Sequence, residues 1–303
     1  MKRHAYLIIA HHHFDMLKNL IRALDSEHAD FYIHINRSVR DLDEADILSA
    51  AKKSRARIFR RYRITWGADT QIRCELYLME QAAKERYDYY HLLSGVDIPL
   101  KTGSEIEAFF EAQDKSFLEV KQEKDLGATL DRVRRYAFFQ PLIGRQKAGR
   151  GKLYALLDQL AYESDKLQRM LKIDRTKNAP FAYCRGGNWF SITHALLAYI
   201  LTQRPVIRKY FYHSVTADEL FVQSVAMASP LRDEIIRDNL RLVDWTRTEH
   251  GGCSPHTFTS EDEEMLVSCR DKLFARKFDP AIDREIIERM YARIGIGGGE
   301  NSN

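Results

Sequence analysis

The sequence predicts an α/β domain with a mostly parallel central sheet flanked by helices. Three apolar runs of strand length lie in the first hundred residues: 5–10 (AYLIIA), 30–36 (DFYIHIN) and 87–100 (YDYYHLLSGVDIPL). Two segments with helical spacing of apolar residues, 14–25 and 68–85, alternate with them. This order implies parallel strands joined by crossover helices. We therefore expect ligands to bind beyond the carboxyl ends of the strands, where Asp97 falls.

Further elements are predicted along the chain. A partly exposed strand is expected at 57–67, strands at 180–192 and 240–245, and helices at 104–113, 153–172, 216–229 and 260–279. The helix at 104–113 has a capping-box pattern from Ser104 to Glu107, and the helix at 216–229 has one from Thr216 to Glu219. No repeat or linker divides the chain. We expect one domain over 1–295 and a disordered tail over 296–303.

Composition narrows the class of protein. The chain has 303 residues, 45% of them hydrophobic and 30% charged, with a net charge of +4, which suits a globular protein and excludes a nucleic-acid polycation. Basic residues concentrate in 52–63 and 132–136, which are solvated faces or contacts for an anionic acceptor or membrane surface. Motifs of the usual nucleic-acid-binding modules are lacking, so we expect no nucleic-acid partner.

The location of the protein is predicted from its cysteines and its first residues. Four cysteines without a CxxC pair predict free buried thiols and a reducing compartment. The apolar run near the start is six residues long, too short for a signal-peptide core or a membrane span. We expect a cytoplasmic protein, with a peripheral contact to the inner membrane through its basic faces.

Several residues suit a binding or catalytic site, and each has an ordinary structural interpretation. His11, His12 and His13 suit ligand contacts more than metal chelation, because adjacent residues of an extended chain point to opposite faces. Glu219 is a helix cap or a general base. Arg276 and Lys277 either interact with a helix C-terminus or bind phosphate. The two glycines of 185–189 (RGGNW) form a bulge or let the backbone approach a ligand.

Six segments in the same order resemble the core-2/I-branching N-acetylglucosaminyltransferases, glycosyltransferase family 14, which also includes peptide xylosyltransferases. The most specific is YDYYHLLSGVDIPLKT (87–102), and FYIHIN, ITWGADTQIRCELYLMEQA, GGNWFSIT, TADELFVQSV and LFARKFD accompany it. The segment 121–180 matches poorly, and acceptor specificity is expected there. The resemblance implies a GT-A-like fold and an inverting reaction that needs no metal and no cofactor other than the UDP-sugar donor.

The resemblance also implies roles for particular residues. Glu219 matches the catalytic glutamate, and Lys277, with Arg276, takes over the charge neutralisation that a bound cation supplies elsewhere. His256 stands where the family usually has an arginine, and Asn36 where it commonly has an aspartate. Trp189 and Trp245 are candidates for contacts to the acceptor sugar. The remaining candidates for nucleotide and diphosphate binding are His11, His34, Asn36, Trp66, Gly67, Ser94, Asp97 and His256.

The expected function is transfer of a sugar, with N-acetylglucosamine favoured, from a UDP-sugar to a glycan hydroxyl. The acceptor is expected to be a glycan, with a lipid-linked one favoured for a chain that begins directly with structure. Two alternatives stay open. The donor is UDP-xylose or another UDP-sugar, or the chain is a non-catalytic nucleotide-sugar or glycan-binding protein on the same fold.

Overall fold

The computed structural model describes residues 1–121, 126–144, 151–248 and 254–297. Ten strands are present in these ranges: β1 His4–Ala10, β2 Ala29–Ile35, β3 Arg55–Phe59, β4 Tyr89–Ser94, β5 Ile98–Pro99, β6 Ser116–Leu118, β7 Phe190–Thr193, β8 Ile235–Ile236, β9 Arg241–Val243 and β10 Phe274–Arg276. They form a seven-stranded sheet in the order β3-β2-β1-β4-β7-β6-β8 and a three-stranded sheet in the order β5-β10-β9.

Twelve α-helices are described in the same ranges. They are α1 Phe14–Leu24, α2 Glu44–Leu48, α3 Thr70–Ala83, α4 Gly103–Glu111, α5 Gly127–Arg134, α6 Gln140–Ile143, α7 Lys152–Met170, α8 His194–Thr202, α9 Arg204–Phe211, α10 Asp218–Met227, α11 Glu263–Ser268 and α12 Arg284–Arg293. None of the helices in these ranges combines the length and the low polarity needed to cross a bilayer.

The large sheet is mostly parallel, which confirms the predicted fold class. Strands β1 to β4 pair in parallel, and β7 runs antiparallel to both β4 and β6. Alternate residues of the buried strands face opposite sides, as a period of two requires. One side packs on α3, α8 and α10, and the other packs on α1 and α4. Helices therefore cover both faces.

Three predicted strands were wrong in extent. The strand expected at 57–67 ends at Phe59. The apolar run 87–100 breaks at Gly95, and its last residues join the small sheet as β5. A β-carbon at Gly95 would lie 2.7 Å from the Ala10 Cβ, so β1 and β4 leave no room for a side chain there. The interrupted strand expected over 180–192 is reduced to β7.

The largest error concerns 260–279, which was predicted as a helix. The structure has a 3₁₀ turn at Ser260–Asp262, the short helix α11 and then strand β10. Arg276 therefore ends a strand, and its interpretation as a helix-terminal cation is wrong. Both capping boxes were also misplaced. The box of α4 joins Thr102 and Glu105, and α10 begins after Ala217 without a side-chain cap.

Most arginines of the two basic stretches pair with protein groups. Arg55 donates to Asp30 at 2.9 Å, and Arg57 pairs with Glu85. Arg134 and Arg135 pair with Asp131 and Asp165 at 2.8 and 2.5 Å. Such pairing satisfies these charges within the fold, so these arginines do not support the predicted basic docking faces.

The described cysteines are Cys74, Cys184 and Cys269, and all three are free thiols. Cys74 alone is buried, whereas the other two are partly exposed, so the prediction of buried thiols holds for one of them. Cys253 and the predicted tail beyond residue 297 lie outside the described residues.

Arg241, at the start of β9, joins the two sheets. Its guanidinium donates to the Leu92 carbonyl of β4 at 3.2 Å and to the Phe190 carbonyl and Ser191 Oγ of β7 at 2.8 and 3.0 Å. The side chain is buried, and burial lowers its pKa while the nearby Asp97 carboxylate opposes that shift. Carbonyls of two inner strands of the large sheet thus accept from a cation carried by the small sheet.

Replacing Arg241 with Met should cost about 3–5 kcal/mol of unfolding free energy, because the buried oxygens of Leu92, Phe190 and Ser191 lose a charged donor and Asp97 loses one of its two nearby cations. Urea denaturation measures the loss. Arg232→Met removes a guanidinium of which 63% is exposed, and it should cost less than about 0.5 kcal/mol. Equal losses in the two variants would show that the sheets do not depend on Arg241.

Candidate active site

The candidate site lies where the ends of several strands meet. Residues after β1, β2 and β4 lie at the carboxyl edge of the large sheet, because these strands are parallel. The register of β4 with the antiparallel β7 pairs Leu92 with Phe190, which brings Trp189 to the same edge. In the small sheet Ala275 pairs with Ile98, so the next residues, Arg276 and Asp97, come together.

Asp97 is a buried counter-ion. It has no exposed surface, its Oδ2 accepts from the Ser94 backbone N–H at 2.9 Å, and its Oδ1 lies 3.6 Å from Arg276 Nη1. Burial raises the pKa of this carboxyl, and Arg276 is the main opposing influence. The Arg276 guanidinium also lies over the Trp189 ring, 4.1 Å from its centre. The Asp97 carboxylate thus faces a cation of the protein, the Arg276 guanidinium.

Lys277 and His256 lie beyond the same end of the small sheet. The Lys277 Nζ donates to Ser254 Oγ at 2.7 Å, and the Lys277 carbonyl accepts from the Phe258 N–H. His256 Nε2 lies 2.8 Å from the buried Asp262, which also receives Arg247 at 2.7 Å. The carboxylate of Asp262 thus holds the imidazole of His256.

Glu219 lies in the first turn of α10, and its carboxylate is held by arginines. Its Oε2 accepts from Arg132 of α5 at 2.8 Å and lies 3.6 Å from Arg185 Nε. Thr216, the predicted cap, has a left-handed φ of 49° and donates its N–H to the Gly67 carbonyl at 3.0 Å. The carboxylate is therefore not engaged in the predicted capping box, and it remains partly exposed at 26%.

The segment 185–189 connects the two charged groups of the site. Arg185 approaches the Glu219 carboxylate, whereas Trp189 lies beneath Arg276. Four residues of extended chain span at most ~14 Å. The Gly186 N–H donates to the Glu219 carbonyl at 3.0 Å. A carboxylate and a cation are thus placed along one short stretch of backbone.

Glycine is required at position 186. A β-carbon there would lie 1.9 Å from the Glu119 carbonyl oxygen, so the backbone of 185–189 packs directly on the end of β6. The close approach that the sequence suggested for these glycines is an approach to protein backbone. This packing, together with the hydrogen bond from the Gly186 N–H to the Glu219 carbonyl, fixes the position of the first turn of α10 relative to β6.

Glu75 of α3 is a second carboxyl group next to the site. It is fully buried, and its Oε1 accepts from Gln71 at 2.9 Å and from Asn188 at 3.2 Å. Burial raises the pKa of this carboxyl well above its usual value, and the Asp218 carboxylate adds to the shift. Glu75 therefore holds its proton more tightly than an exposed glutamate, on the helix face that packs against α10.

Two candidates at the carboxyl end of β2, His34 within the strand and Asn36 just after it, have contacts within the protein. Asn36 donates to the Ile64 carbonyl at 2.9 Å and accepts from Ser38 Oγ at 3.0 Å. His34 is buried, and its Nε2 accepts from the Tyr62 N–H at 3.0 Å. Burial lowers the pKa of His34 to about 4. Both side chains thus hold the loop that leads to Trp66.

The three histidines after β1 contact one another. Ring centres of His11 and His12 are 4.0 Å apart, and those of His12 and His13 are 4.2 Å apart. The expectation that they point to opposite faces is wrong, because the chain turns here and His13 has a φ of 53°. Across the described ranges, no three His, Cys, Asp or Glu side chains are arranged to hold a metal ion.

Two indoles are exposed near the site. Trp66, on the loop after β3, is 49% exposed, and Trp245, just after β9, is 46% exposed. Gly67 follows Trp66 with a φ of 77° and is tied to the start of α10 through Thr216. Indole faces of this kind suit contacts to a sugar or a base.

A cavity of about 210 Å³ adjoins the site on the other side of Arg132. Its lining comes from α5, 135–140, α6 and α7, and it includes Arg132, Arg135, Tyr136, Phe138 and Gln140. This is the region where the sequence matched the family poorly. Arg132 therefore borders the cavity and contacts Glu219.

Sequence reasoning missed Arg132, Arg185, Arg241 and Glu75. Glu75 was detectable, since it lies on the buried stripe of α3 between Ile72 and Met79. Arg132 and Arg185 were visible only as members of basic or glycine-containing stretches. Their partner, Glu219, is far away in sequence, so no local pattern reports the contact.

Comparison with known proteins defines the class: the chain is a member of a glycosyltransferase family. The model of the family described as "Core-2/I-Branching enzyme" matches residues 4–267, most of the chain. The chain therefore belongs to the core-2/I-branching enzyme family.

Similar curated proteins are xylosyltransferases. Xylosyltransferase 2 of Canis lupus familiaris is 26% identical over 94% of this chain and 33% of its own length. Human xylosyltransferase 1 is 23% identical over 95% of this chain and 30% of its own length. The chain thus spans about a third of the length of these relatives. A solved structure, mouse xyloside xylosyltransferase 1 in its apo form, aligns with 91% of this chain and 97% of its own, with a TM-score of 0.37 and 10% identity.

Replacing Glu75 with Gln should stabilise the protein increasingly as pH rises. The folded-state pKa of Glu75 is raised, so wild type loses stability above the unfolded pKa until the folded pKa is reached. The variant lacks this loss. Its advantage should grow by up to about 1.4 kcal/mol per pH unit in that window. Urea denaturation from pH 4 upward measures it, with the exposed Glu261→Gln as control; a gap independent of pH would contradict the assignment.

Replacing Gly186 with Ala should cost about 1–3 kcal/mol, because the new methyl group overlaps the Glu119 carbonyl and the segment must move. Thermal unfolding measures the loss. Gly151→Ala is the control, since a β-carbon there has no atom within 4 Å. Equal melting temperatures for the two variants would show that 185–189 is not tightly packed.

Proposed function

We propose that the chain is an inverting glycosyltransferase that moves a sugar from a UDP-sugar to a glycan hydroxyl without a metal ion. Family membership supports the reaction class. The observation that carries the proposal is the segment 185–189, which places the Glu219 carboxylate near one end and the Arg276 cation at the other. A base and a cation on either side of a reacting centre are what a single displacement requires.

In the proposed mechanism Glu219 acts as general base. The acceptor oxygen attacks the anomeric carbon of the donor and gives its proton to the Glu219 carboxylate, while the bond from that carbon to the diphosphate breaks. General-base help of this kind is worth roughly 10²- to 10⁴-fold in rate. Arg132 and Arg185 hold the carboxylate in position. This arrangement leaves Glu219 free of the capping role that would compete with catalysis.

In the proposed mechanism Lys277 stabilises the leaving diphosphate. Arg276 is already paired with Asp97 and covered by Trp189, so its charge is partly neutralised. Lys277 is the next residue along the chain, and its Nζ donates to Ser254 Oγ at 2.7 Å. A fixed cation where negative charge develops needs no reorganisation during the step. Asp97 is buried against Arg276, which supports a site that does not depend on a carboxylate-bound cation.

Two donors are candidates. N-acetylglucosamine is the sugar that the resemblance to branching enzymes favours. The curated relatives are named xylosyltransferases, and this favours UDP-xylose as the second candidate. The exposed indoles of Trp66 and Trp245 and the partly buried Trp189 are the proposed contacts for nucleotide and sugar.

The proposal extends to the acceptor and the location. The acceptor is a glycan hydroxyl, and we propose that the glycan is lipid-linked and reached from the cytoplasmic side of a membrane. The cavity beside Arg132 is the proposed binding region for the acceptor. The alternative is that the chain binds a nucleotide sugar or glycan without catalysis. His256 and Asn36, which differ from the residues that the family commonly has, are the reason for considering it.

Release of UDP from UDP-N-acetylglucosamine and UDP-xylose, measured in EDTA, tests the function. Wild type should turn over one donor. Glu219→Gln should lower kcat by about 10²- to 10⁴-fold with little change in UDP affinity, because it removes the base. Lys277→Ala should lower it by roughly 10²- to 10³-fold, because it removes a cation from the leaving group. Glu234→Gln, at an exposed position, is the control.

Three results would contradict parts of the proposal. Turnover that EDTA abolishes would show that a cation is needed. Full activity in Glu219→Gln would remove that residue from catalysis. Binding of UDP by wild type, with no turnover of either donor across a panel of glycan acceptors, would favour the non-catalytic protein.

A further inference from the structure

Helix α7 has an exposed apolar stripe along most of its length. Leucines and a methionine recur at spacings of three, four and seven residues, which places them on one side of the helix. Their exposed fractions run from 43% to 71%. The members of this stripe, the α7 stripe, are Leu153, Leu156, Leu160, Leu167, Met170 and Leu171, the last just beyond the helix.

The face of α7 next to this stripe attaches the helix to the rest of the protein. Ala161, Ser164 and Asp165 line the cavity beside Arg132. Gln168 is the only residue of α7 that is buried, and its amide donates to the Tyr136 carbonyl and accepts from the Tyr136 N–H. The helix is thus attached by polar contacts, while its aliphatic side chains face outward. A surface helix that packs only for stability buries its apolar face against the core, whereas α7 exposes this face.

Cations border the α7 stripe. Lys152 lies at its first turn, and Lys166 and Lys172 lie at its last turns, all three exposed, whereas Arg169 pairs with Asp165 at 2.7 Å. The acidic residues of α7 are Asp158, Glu163 and Asp165, and Asp165 is paired with Arg135 and Arg169. Aliphatic side chains with lysine and arginine beside them are typical of helices that lie in the interface of a bilayer with anionic lipids. Protein interfaces instead are enriched in aromatic residues and depleted of lysine, and the stripe contains no aromatic side chain.

We propose that the α7 stripe binds the surface of an anionic lipid bilayer, with the helix axis parallel to the membrane plane. The leucines enter the boundary between headgroups and acyl chains, and the flanking cations meet lipid phosphates. The acceptor part of this inference rests on the proposed function: a membrane on the outer side of α7 brings a lipid-linked glycan next to the cavity and Glu219. The binding part does not depend on catalysis.

Cosedimentation with vesicles, in the absence of any donor, tests the binding. The vesicles contain equal parts phosphatidylcholine and phosphatidylglycerol, and vesicles of phosphatidylcholine alone are the comparison. Wild type should bind the anionic vesicles. Leu156→Gln with Leu160→Gln should weaken binding by roughly tenfold or more, because two aliphatic side chains no longer enter the bilayer. The matched control is Ile282→Gln with Met265→Gln, which polarises two exposed apolar residues elsewhere and should bind as wild type does.

The charge component has its own matched pair of variants. Lys166→Glu with Lys172→Glu should weaken binding to anionic vesicles by at least roughly tenfold, since each cation near the surface contributes about fivefold. Lys52→Glu with Lys53→Glu makes the same change in net charge in the basic stretch 52–63, away from α7, and should leave binding nearly unchanged. All substituted side chains are exposed, so melting temperatures should match that of wild type.

Two results would overturn the proposal. Equal binding in the α7 variants and their controls would mean that the stripe is not the contact. Absence of vesicle binding, together with a dimer mass in sedimentation equilibrium that Leu156→Gln with Leu160→Gln abolishes, would identify the stripe as a contact between copies of the chain. UDP release with a soluble acceptor, measured without vesicles, separates this inference from the proposed function. Vesicle binding by a protein that turns over neither donor would leave the membrane contact standing and remove the transferase.

Discussion

The guanidinium of Arg241 is the interaction on which the arrangement of the site depends. It belongs to the small sheet and donates to carbonyls of β4 and β7 in the large one. Without this guanidinium, the carbonyls of β4 and β7 would lose a buried donor. The buried Asp97 carboxylate would also lose one of its nearby cations. Because this contact fixes the small sheet, the residues after β10 reach the same end of the molecule as Trp189. A buried polar contact thus determines where the cations of the site lie.

Backbone contacts determine where the carboxylate of the site lies. Gly186 packs on the end of β6 and holds the first turn of α10 through the Glu219 carbonyl, and Thr216 holds it through Gly67. Two arginines from different elements then orient the carboxylate. The catalytic group proposed here is therefore positioned by the sheet, by the loop after β3 and by α5. Its position does not rely on the cap of its own helix.

The sequence predicted secondary structure correctly where apolar residues recur with a regular period over a whole element. Strands β1, β2 and β4 and helices α1 and α3 follow from apolar runs of clear period, and the central sheet follows from their order. The stretch 260–279 was misread because apolar runs of a few residues fit a short strand and a helix equally well. The ion pairs of Glu219 were not predictable, because Arg132 and Arg185 come from distant segments. The resemblance to the family made Glu219 and Lys277 candidates for the site, but only the folded chain reveals that Asp97 is buried against Arg276.

The ion pair between Arg132 and Glu219 has a consequence for how this fold can diversify. Arg132 borders the cavity formed by the least family-like part of the chain and also holds the proposed base. Substitutions that reshape the cavity therefore change the orientation of the carboxylate as well as the fit of whatever enters. Exchanging the 126–172 region between relatives would therefore change the lining of the cavity and, through Arg132, the contact that orients Glu219. Under the proposed function, adaptation to a new acceptor would therefore change the cavity and the orientation of the base together, because one arginine contacts both.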